Sequence, residues 1–212
     1  MITIVDYGLG NIFSVERSLD HCGAKEVKIS SDPEEIFNSD KIILPGVGAF
    51  RDGMQGLKDR NLIEPIKNAA LQGKPILGIC LGMQMLVSSS MEFGDHDGLD
   101  LISGQVVPIL ENQAIKKDIL KIPYIGWAKL DINIKHKDLK SPLSGVRKNS
   151  YVYLVHSYHV QTKDSNDTNG IYNYDGINVT AAIQKNNVIG FQFHPEKSGE
   201  VGMGIIKNFI SL

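Results

Sequence analysis

The first 90 residues alternate between short apolar runs and amphipathic segments. A continuous β-branched run at residues 2–5 predicts a strand buried on both faces, and further short strands are predicted at residues 27–29 and 41–44 and just before Cys80. Between them, apolar residues recur at helical spacing, most clearly over residues 12–22 and 62–71. Strands that alternate with helices predict a parallel sheet with helices on both of its faces.

The second half of the chain has a different pattern. Apolar runs predict strands with few helices between them, at residues 104–107, 122–123, 127–134, 151–155, 180–183 and 188–193. A last amphipathic helix is predicted over residues 202–210, and the polar stretch 161–174 predicts a solvated loop. We therefore expect one α/β domain over residues 1–212, with a mostly parallel central sheet and an antiparallel or mixed extension in the C-terminal half.

Composition and charge exclude several classes of protein. The chain of 212 residues has a net charge of −2, and no basic cluster indicates a nucleic-acid partner. No apolar run is long enough to span a bilayer, and the N-terminus reads as a strand and not as a signal peptide. The two cysteines do not resemble a disulfide framework, so we expect a reducing, cytoplasmic location.

Cys80 lies at the centre of the most informative motif. Gly78 and Gly82 flank it two residues to either side, between a predicted strand and a predicted helix. This spacing is typical of an elbow that holds a nucleophile out of a sheet, where helix N–H groups favour a thiolate and bind an oxyanion. A small buried core residue is the alternative for Cys80, and the motif alone leaves both interpretations open.

A second motif near the C-terminus supplies a base and an orienting acid. His194 and Glu196 follow an apolar strand, and Pro195 between them favours an extended chain. Residues i and i+2 of an extended chain point to the same side, so Glu196 is expected to accept a hydrogen bond from His194 Nδ1–H. With Cys80 they make the parts of a nucleophile–base–acid triad, although only the fold can bring them together.

Cofactor and metal sites find little support. Gly8 and Gly10 begin a dinucleotide fingerprint, but Phe13 occupies the place of its third glycine. A zinc site using His194, Glu196 and Cys80 lacks the further cysteine ligands that such sites need. His156 and His159, three apart on a predicted strand, point to opposite faces. We therefore expect no cofactor and no metal.

The motifs together resemble a known family. Residues 78–84 and 192–196 are similar to those of class I glutamine amidotransferases. The segments Asp6-Tyr7-Gly8, Pro45-Gly46-Val47-Gly48, Val155-His156-Ser157-Tyr158 and His194-Pro195-Glu196-Lys197-Ser198 resemble the glutaminase subunit of imidazole glycerol phosphate synthase. The resemblance extends over nearly the whole chain.

The resemblance implies a role for each matching residue. Cys80 attacks the side-chain amide of L-glutamine, His194 moves the proton and Glu196 orients His194. The oxyanion hole is implied to consist of the backbone N–H groups of Leu81 and of the turn at Val47 and Gly48. The residues implied to bind the substrate are Gly46, Gln84, Glu92, Ser157 and Tyr158.

The resemblance also implies a partner that uses the ammonia. This is a (β/α)₈-barrel cyclase, which forms a heterodimer with an ammonia channel and takes part in histidine biosynthesis. Asn11, Trp127 and Lys197 match positions that face it, although Asn11 also suits a helix N-cap and Lys197 a solvated position. The loop at 123–128 departs from the family, with Tyr124 in place of histidine and Ala128 in place of asparagine. The alternative is therefore a paralogue that supplies ammonia for amino or amidino sugars of surface polysaccharides. The intact triad argues against an inactive binding subunit.

Overall fold

The computed structural model of the protein describes residues 1–111, 120–133 and 140–212. The strands are β1 Ile2–Val5, β2 Val27–Ser30, β3 Lys41–Leu44, β4 Ile76–Ile79, β5 Val87–Ser90, β6 His96–Asp97, β7 Ile102–Pro108, β8 Tyr124–Lys129, β9 Asp131–Ile132, β10 Tyr151–His156, β11 Tyr158–Thr162, β12 Thr168–Tyr174, β13 Ile177–Lys185 and β14 Val188–Phe191. The helices are α1 Ile12–His21, α2 Pro33–Asn38, α3 Phe50–Asp59, α4 Ile63–Leu71, α5 Leu81–Met85 and α6 Gly199–Ile210. No helix in these ranges is long and apolar enough to cross a membrane.

An eight-stranded sheet forms the centre, in the order β2-β1-β3-β4-β14-β13-β12-β9. The first five strands pair in parallel, and β13, β12 and β9 extend the sheet in antiparallel pairing. The expected α/β fold, with a parallel core and an antiparallel extension, is confirmed.

Alternate residues of the parallel strands pack into two separate cores. Ile4 belongs to a cluster with Val15 of α1 and Ile205 of α6, whereas its neighbour Val5 belongs to a cluster with Leu57 of α3. Strands buried on both faces need apolar residues at every position, which explains the continuous apolar runs in the sequence. The helices therefore cover both faces, as expected.

Several strands of the second half form separate small sheets instead of joining the central one. Strands β8 and β10 pair with each other, and β11, β7, β5 and β6 form a four-stranded sheet. The strand predicted at 127–134 is interrupted at Leu130, because β8 pairs with β10 whereas β9 pairs with β12. Its last residue lies outside the described part of the chain, and the pair at 122–123 forms no strand.

One further sequence prediction was wrong, and one helix was missed. The stretch 161–174 is not a solvated loop, since most of it lies in β11 and β12, and Asn169 and Tyr172 are buried. Helix α3 was not predicted, because Gly53 and Gly56 lower its intrinsic helix propensity. Both glycines are required by packing: a Cβ would lie 2.6 Å from Met85 Sδ at Gly53 and 2.5 Å from the Tyr7 carbonyl oxygen at Gly56.

Candidate active site

Cys80 lies at the sharp turn between β4 and α5. Its backbone has φ 56° and ψ −111°, a conformation that costs energy for any residue with a side chain. The Cys80 N–H donates to the Phe191 carbonyl at 2.7 Å, which fixes the turn to the neighbouring strand. Strain held in place by the surrounding structure is typical of a functional site.

Gly78 and Gly82 are required because the turn is so tight. A Cβ on Gly82 would lie 1.8 Å from the Leu44 carbonyl oxygen, and one on Gly78 would lie 2.6 Å from the Gly82 carbonyl oxygen. Both obstacles are backbone atoms, which a rotamer change cannot move. The two glycines of the motif therefore allow the elbow to pack against β3 and against itself.

Gly82→Ala is expected to destabilise the protein by about 3 kcal/mol or more, because the backbone of β3 has to move to accept the methyl group. Gly204→Ala is the matched control, since Gly204 lies in α6 with open space around its Cα. Alanine in a helix is favoured over glycine by ~0.5–1 kcal/mol, so this variant gains stability. Urea unfolding measures the stability of both variants, and equal stability would contradict the close packing of Gly82 against β3.

Strand pairing brings His194 to Cys80. In the parallel pair of β4 and β14, Phe191 lies opposite Ile79, so the chain leaves both strands at the same edge of the sheet. His194 follows β14 by three residues, and it lines the same cavity as Cys80. The carboxyl ends of neighbouring parallel strands are the usual place for a site in such sheets.

Glu196 contacts His194 through a tight turn and not through an extended chain. Residues Pro195–Lys197 form a 3₁₀ turn, and His194 Nδ1 donates to Glu196 Oε1 at 2.8 Å. The side chain of Glu196 is only 1% exposed. Ser198 Oγ holds the turn in place, since it donates to the His194 carbonyl at 2.7 Å and accepts the Tyr153 N–H at 3.0 Å. The expected contact forms, but by a different local geometry.

His194 is a stronger base than an ordinary histidine. Burial by itself lowers the pKa of His194, but its hydrogen bonds and charge interactions with Cys80 and Glu196 outweigh burial and raise the pKa from 6.5 to about 9. At neutral pH the ring is therefore an imidazolium between a sulfur and a carboxylate. A protonated ring held by a carboxylate beside the sulfur is a ready proton donor for a leaving group.

The raised pKa of His194 predicts how stability changes with pH. The folded value of about 9 exceeds the ordinary value of 6.5, so its stabilising contribution is complete below pH 6.5 and is lost as the pH rises through 9. We expect the free energy of unfolding to fall across this window. Urea titrations at several pH values measure it, with His194→Gln as the control that flattens the profile. An equally steep fall in the control would contradict the assignment.

A cavity of about 200 Å³ opens at Cys80. Val47, Gly48 and Leu81, the three residues expected at an oxyanion hole, all line it. Gly46 lies beneath that turn, where a Cβ would be 2.5 Å from the Tyr7 hydroxyl oxygen. Tyr7 is buried and donates its hydroxyl proton to the Pro45 carbonyl at 2.6 Å, which anchors the turn from below.

The remaining expected substrate residues line the same cavity: Gln84, Glu92, Ser157 and Tyr158. Gln84 uses its amide hydrogens internally, donating to the Tyr158 carbonyl at 3.1 Å and to Gln192 Oε1 at 3.0 Å. Its oxygen is the atom left for a ligand. Glu92 Oε2 accepts the Phe50 N–H at 2.6 Å, which fixes the carboxylate at the start of α3. Oxygen acceptors and a negative charge suit a ligand that carries an ammonium group.

Three contacts of the site were not predicted. Val155 and His156 line the cavity, and Gln192 Nε2 donates to Cys80 Sγ at 3.7 Å. Gln192 stands in the same short motif as His194, which was the available signal. Val155 and His156 stand in the motif that contains Ser157 and Tyr158, but the sequence assigned them no role in the pocket. Within the described ranges, no group of three histidine, cysteine, aspartate or glutamate residues could hold a metal ion.

The three residues expected at a partner interface do not line the cavity. Trp127 is 52% exposed on β8, with its ring 5.8 Å from that of Tyr153. Lys197 is exposed in the turn that carries Glu196. Asn11 is the N-cap residue of α1 by position, and its carbonyl accepts the Val15 N–H at 3.2 Å, but its side chain makes no capping hydrogen bond.

Comparison with known proteins identifies the family. The family model for class I glutamine amidotransferases matches residues 3–212. The chain is 47% identical to "Imidazole glycerol phosphate synthase subunit HisH 1" of Legionella pneumophila (strain Paris) over 212 residues, covering 100% of this chain and 99% of the relative. It is 48% identical to "Imidazole glycerol phosphate synthase subunit HisH" of Methanosarcina barkeri (strain Fusaro / DSM 804), covering 100% and 98%.

Solved structures share the fold at lower sequence identity. A crystal structure of a glutamine amidotransferase matches with a TM-score of 0.74 at 12% identity and covers 100% of both chains. A chain of PurLQS from Thermotoga maritima matches with a TM-score of 0.70 at 20% identity and covers 99% of this chain and 97% of that one. With the elbow, the histidine–glutamate pair and the family match over residues 3–212, the chain belongs to the class I glutamine amidotransferases.

Proposed function

We propose that this chain is the glutaminase subunit of an imidazole glycerol phosphate synthase, and that Cys80, His194 and Glu196 carry out the hydrolysis of L-glutamine. The observation that carries the proposal is one cavity that holds the strained Cys80 beside the His194–Glu196 pair. The relatives bearing this subunit's name are 47% and 48% identical over the whole chain, which supports the same assignment.

The first half of the reaction forms a thioester. Cys80 Sγ attacks the side-chain amide carbon of glutamine, and the amide oxygen becomes an oxyanion. The N–H groups of Leu81 and of the turn at Val47 and Gly48 stabilise that charge. When the carbon–nitrogen bond breaks, the His194 imidazolium gives its proton to the departing nitrogen and ammonia leaves.

The second half restores the enzyme. His194, now neutral, removes a proton from water as the water oxygen attacks the thioester carbon. The carbon–sulfur bond breaks, glutamate leaves, and Cys80 and His194 return to their starting state. Throughout, Glu196 keeps the His194 ring oriented, because a carboxylate can only accept a hydrogen bond and therefore holds the Nδ1–H toward itself.

The cavity holds the amino-acid end of glutamine away from the sulfur. The Gln84 side-chain oxygen and the Glu92 carboxylate accept hydrogen bonds from the substrate ammonium, while Ser157 and Tyr158 form the adjacent wall. Gly46 keeps the opposite turn close, because it leaves room for the Tyr7 hydroxyl. These five residues are the ones that the sequence predicts to bind the substrate.

The ammonia requires a partner, because in bulk water it is protonated and no longer nucleophilic. We infer a (β/α)₈-barrel cyclase that contacts Asn11, Trp127 and Lys197 and receives ammonia through a channel. The exposed Trp127 ring and Lys197 side chain, with Asn11 half-buried, support such an interface. Cys22 and Cys80 are free thiols, which suits the reducing cytoplasm.

Complementation tests the assignment to histidine biosynthesis. The chain is expressed, with the cyclase subunit from its own genome, in a histidine auxotroph that lacks only the glutaminase subunit. Growth without histidine is expected, and Cys80→Ala in the same plasmid is the control that fails to grow. Glutamine hydrolysis by the purified pair without any rescue of growth would contradict the histidine assignment and favour a sugar acceptor.

A further inference from the structure

Two buried glutamine side chains connect Cys80 to the opposite wall of its cavity. Gln192 is fully buried and donates from Nε2 to Cys80 Sγ at 3.7 Å. Its Oε1 accepts from Gln84 Nε2 at 3.0 Å, and the second hydrogen of Gln84 Nε2 goes to the Tyr158 carbonyl at 3.1 Å. The orientation of the amide beside the sulfur therefore depends on the Tyr158 peptide.

His156 and Tyr172 hold that peptide from behind. His156 Nδ1 lies 2.8 Å from the Tyr158 carbonyl oxygen, and Tyr172 Oη lies 2.9 Å from His156 Nε2. A carbonyl only accepts, so the ring carries its proton on Nδ1, and Nε2 accepts from the tyrosine hydroxyl. Burial lowers the pKa of His156 to about 4, so the ring is neutral and this arrangement persists at neutral pH.

These hydrogen bonds form one series, which runs from Tyr172 through His156, the Tyr158 carbonyl, Gln84 and Gln192 to Cys80. Each bond in the series constrains the orientation of the next group. An amide flip at Gln84 or Gln192 would place two oxygens or two NH₂ groups face to face in the interior, where unpaired polar groups are costly. Tyr172 is 1% exposed and does not line the cavity. Its ring packs 5.0 Å from that of Tyr124 at the start of β8.

We propose that Tyr172 and His156 are positioning residues of the glutaminase site, which act through the Tyr158 carbonyl and Gln84 to aim the Gln192 amide at the Cys80 sulfur. The proposal rests on the proposed function, which makes Cys80 the nucleophile. The donor matters because a hydrogen bond to the sulfur stabilises its charged form and fixes its position before attack. Tyr172 thereby affects the reaction without touching substrate or sulfur.

Tyr172→Phe tests this with a closely matched control, Tyr174→Phe. Tyr174 lies on the same strand, and its ring is 4.9 Å from that of Tyr124, but its hydroxyl donates to the Lys121 carbonyl at 2.9 Å. In complex with the cyclase, Tyr172→Phe is expected to lower kcat/KM for glutamine about fivefold, as for loss of one net hydrogen bond, whereas Tyr174→Phe stays within about twofold. Equal kcat/KM values for the two variants would overturn the proposal.

Alkylation of Cys80 by iodoacetamide separates positioning from general loosening of the fold. The thiolate displaces iodide directly, so neither glutamine nor the oxyanion hole takes part. Peptide mass spectrometry distinguishes Cys80 from Cys22. Tyr172→Phe is expected to slow alkylation of Cys80 about twofold or more, but to have no further effect when Gln192→Met is already present. The same slowing in both backgrounds would mean that Tyr172 does not act through Gln192.

The outcomes separate failure of this proposal from failure of the proposed function. If Gln192→Met does not fold, Gln84→Met interrupts the same series and carries the same expectation. If the unaltered complex hydrolyses glutamine and Tyr172→Phe matches it in both assays, only the positioning proposal is wrong. If the unaltered complex hydrolyses no glutamine, the proposed function is wrong, and alkylation still decides whether Tyr172 positions Cys80.

Discussion

Replacing Cys80 with alanine is expected to lower kcat for glutamine hydrolysis on the order of 10⁶-fold, because the thioester has no sulfur on which to form and triad members act as a unit. Glutamate release by the complex with the cyclase is the measurement. The remaining rate measures what the cavity and its oxyanion donors achieve with water alone. Hydrolysis near the original rate would remove Cys80 from the mechanism.

Two controls accompany this variant. Cys22→Ala removes the other free thiol, which is half-buried beside Met203 and away from the cavity, and it should retain activity. Cys80→Gly removes the sulfur and the strain together, because glycine accepts φ 56° freely. It should be as inactive as Cys80→Ala but more stable by ~1–3 kcal/mol. Equal stability would show that the elbow stores no strain.

Glu196→Gln is expected to lower kcat on the order of 10⁴-fold, as loss of the charged orienting acid does in comparable triads. The amide keeps the size of the side chain but removes the charge that stabilises the imidazolium. The pKa of His194 should therefore fall from its value of about 9, which NMR titration of the ring measures directly.

The Glu196→Gln variant tests the effect of one negative charge, so its control removes the charge of a glutamate at an exposed position. Glu200→Gln alters an exposed glutamate in the first turn of α6 and should leave both kcat and the His194 pKa unchanged. Adding Glu196→Gln to Cys80→Ala should cause no further loss, because the three residues act in one step. An additive loss would mean that Glu196 acts on the reaction by a separate route.

The parallel half of the fold was predictable because its strands are buried on both faces. Strand β1 appears in the sequence as a run of β-branched residues and β3 as three apolar residues after Lys41, and the elbow glycines mark where β4 turns into α5. The antiparallel half was harder. Strand β12 contains Thr168, Asn169 and Asn173, and its register shifts near Gly170, so neither composition nor periodicity revealed a strand. Helix α3 was concealed in the same way by glycines that close packing requires.

In the active site, too, some features follow from local sequence and others from tertiary contacts. The sequence contained the nucleophile, the base and the acid as two short motifs, and it placed Glu196 close enough to His194 for contact by any local route. The path of that contact, a 3₁₀ turn anchored by Ser198, depended on Tyr153 of a distant strand. Local spacing therefore predicted the pair, whereas tertiary contacts determined its geometry.

By itself, the sequence determined which residues carry the chemistry, because nucleophile, base and acid each need a particular residue type in a particular local motif. The tertiary structure alone decided that Cys80 meets His194, since this depends on the parallel pairing of β4 with β14. It also decided that Gln192, His156 and Tyr172 form a hydrogen-bonded series behind the pocket. The series joins segments far apart in the chain, since Gln192 contacts Cys80 and Gln84 contacts Tyr158, and no local pattern records such contacts.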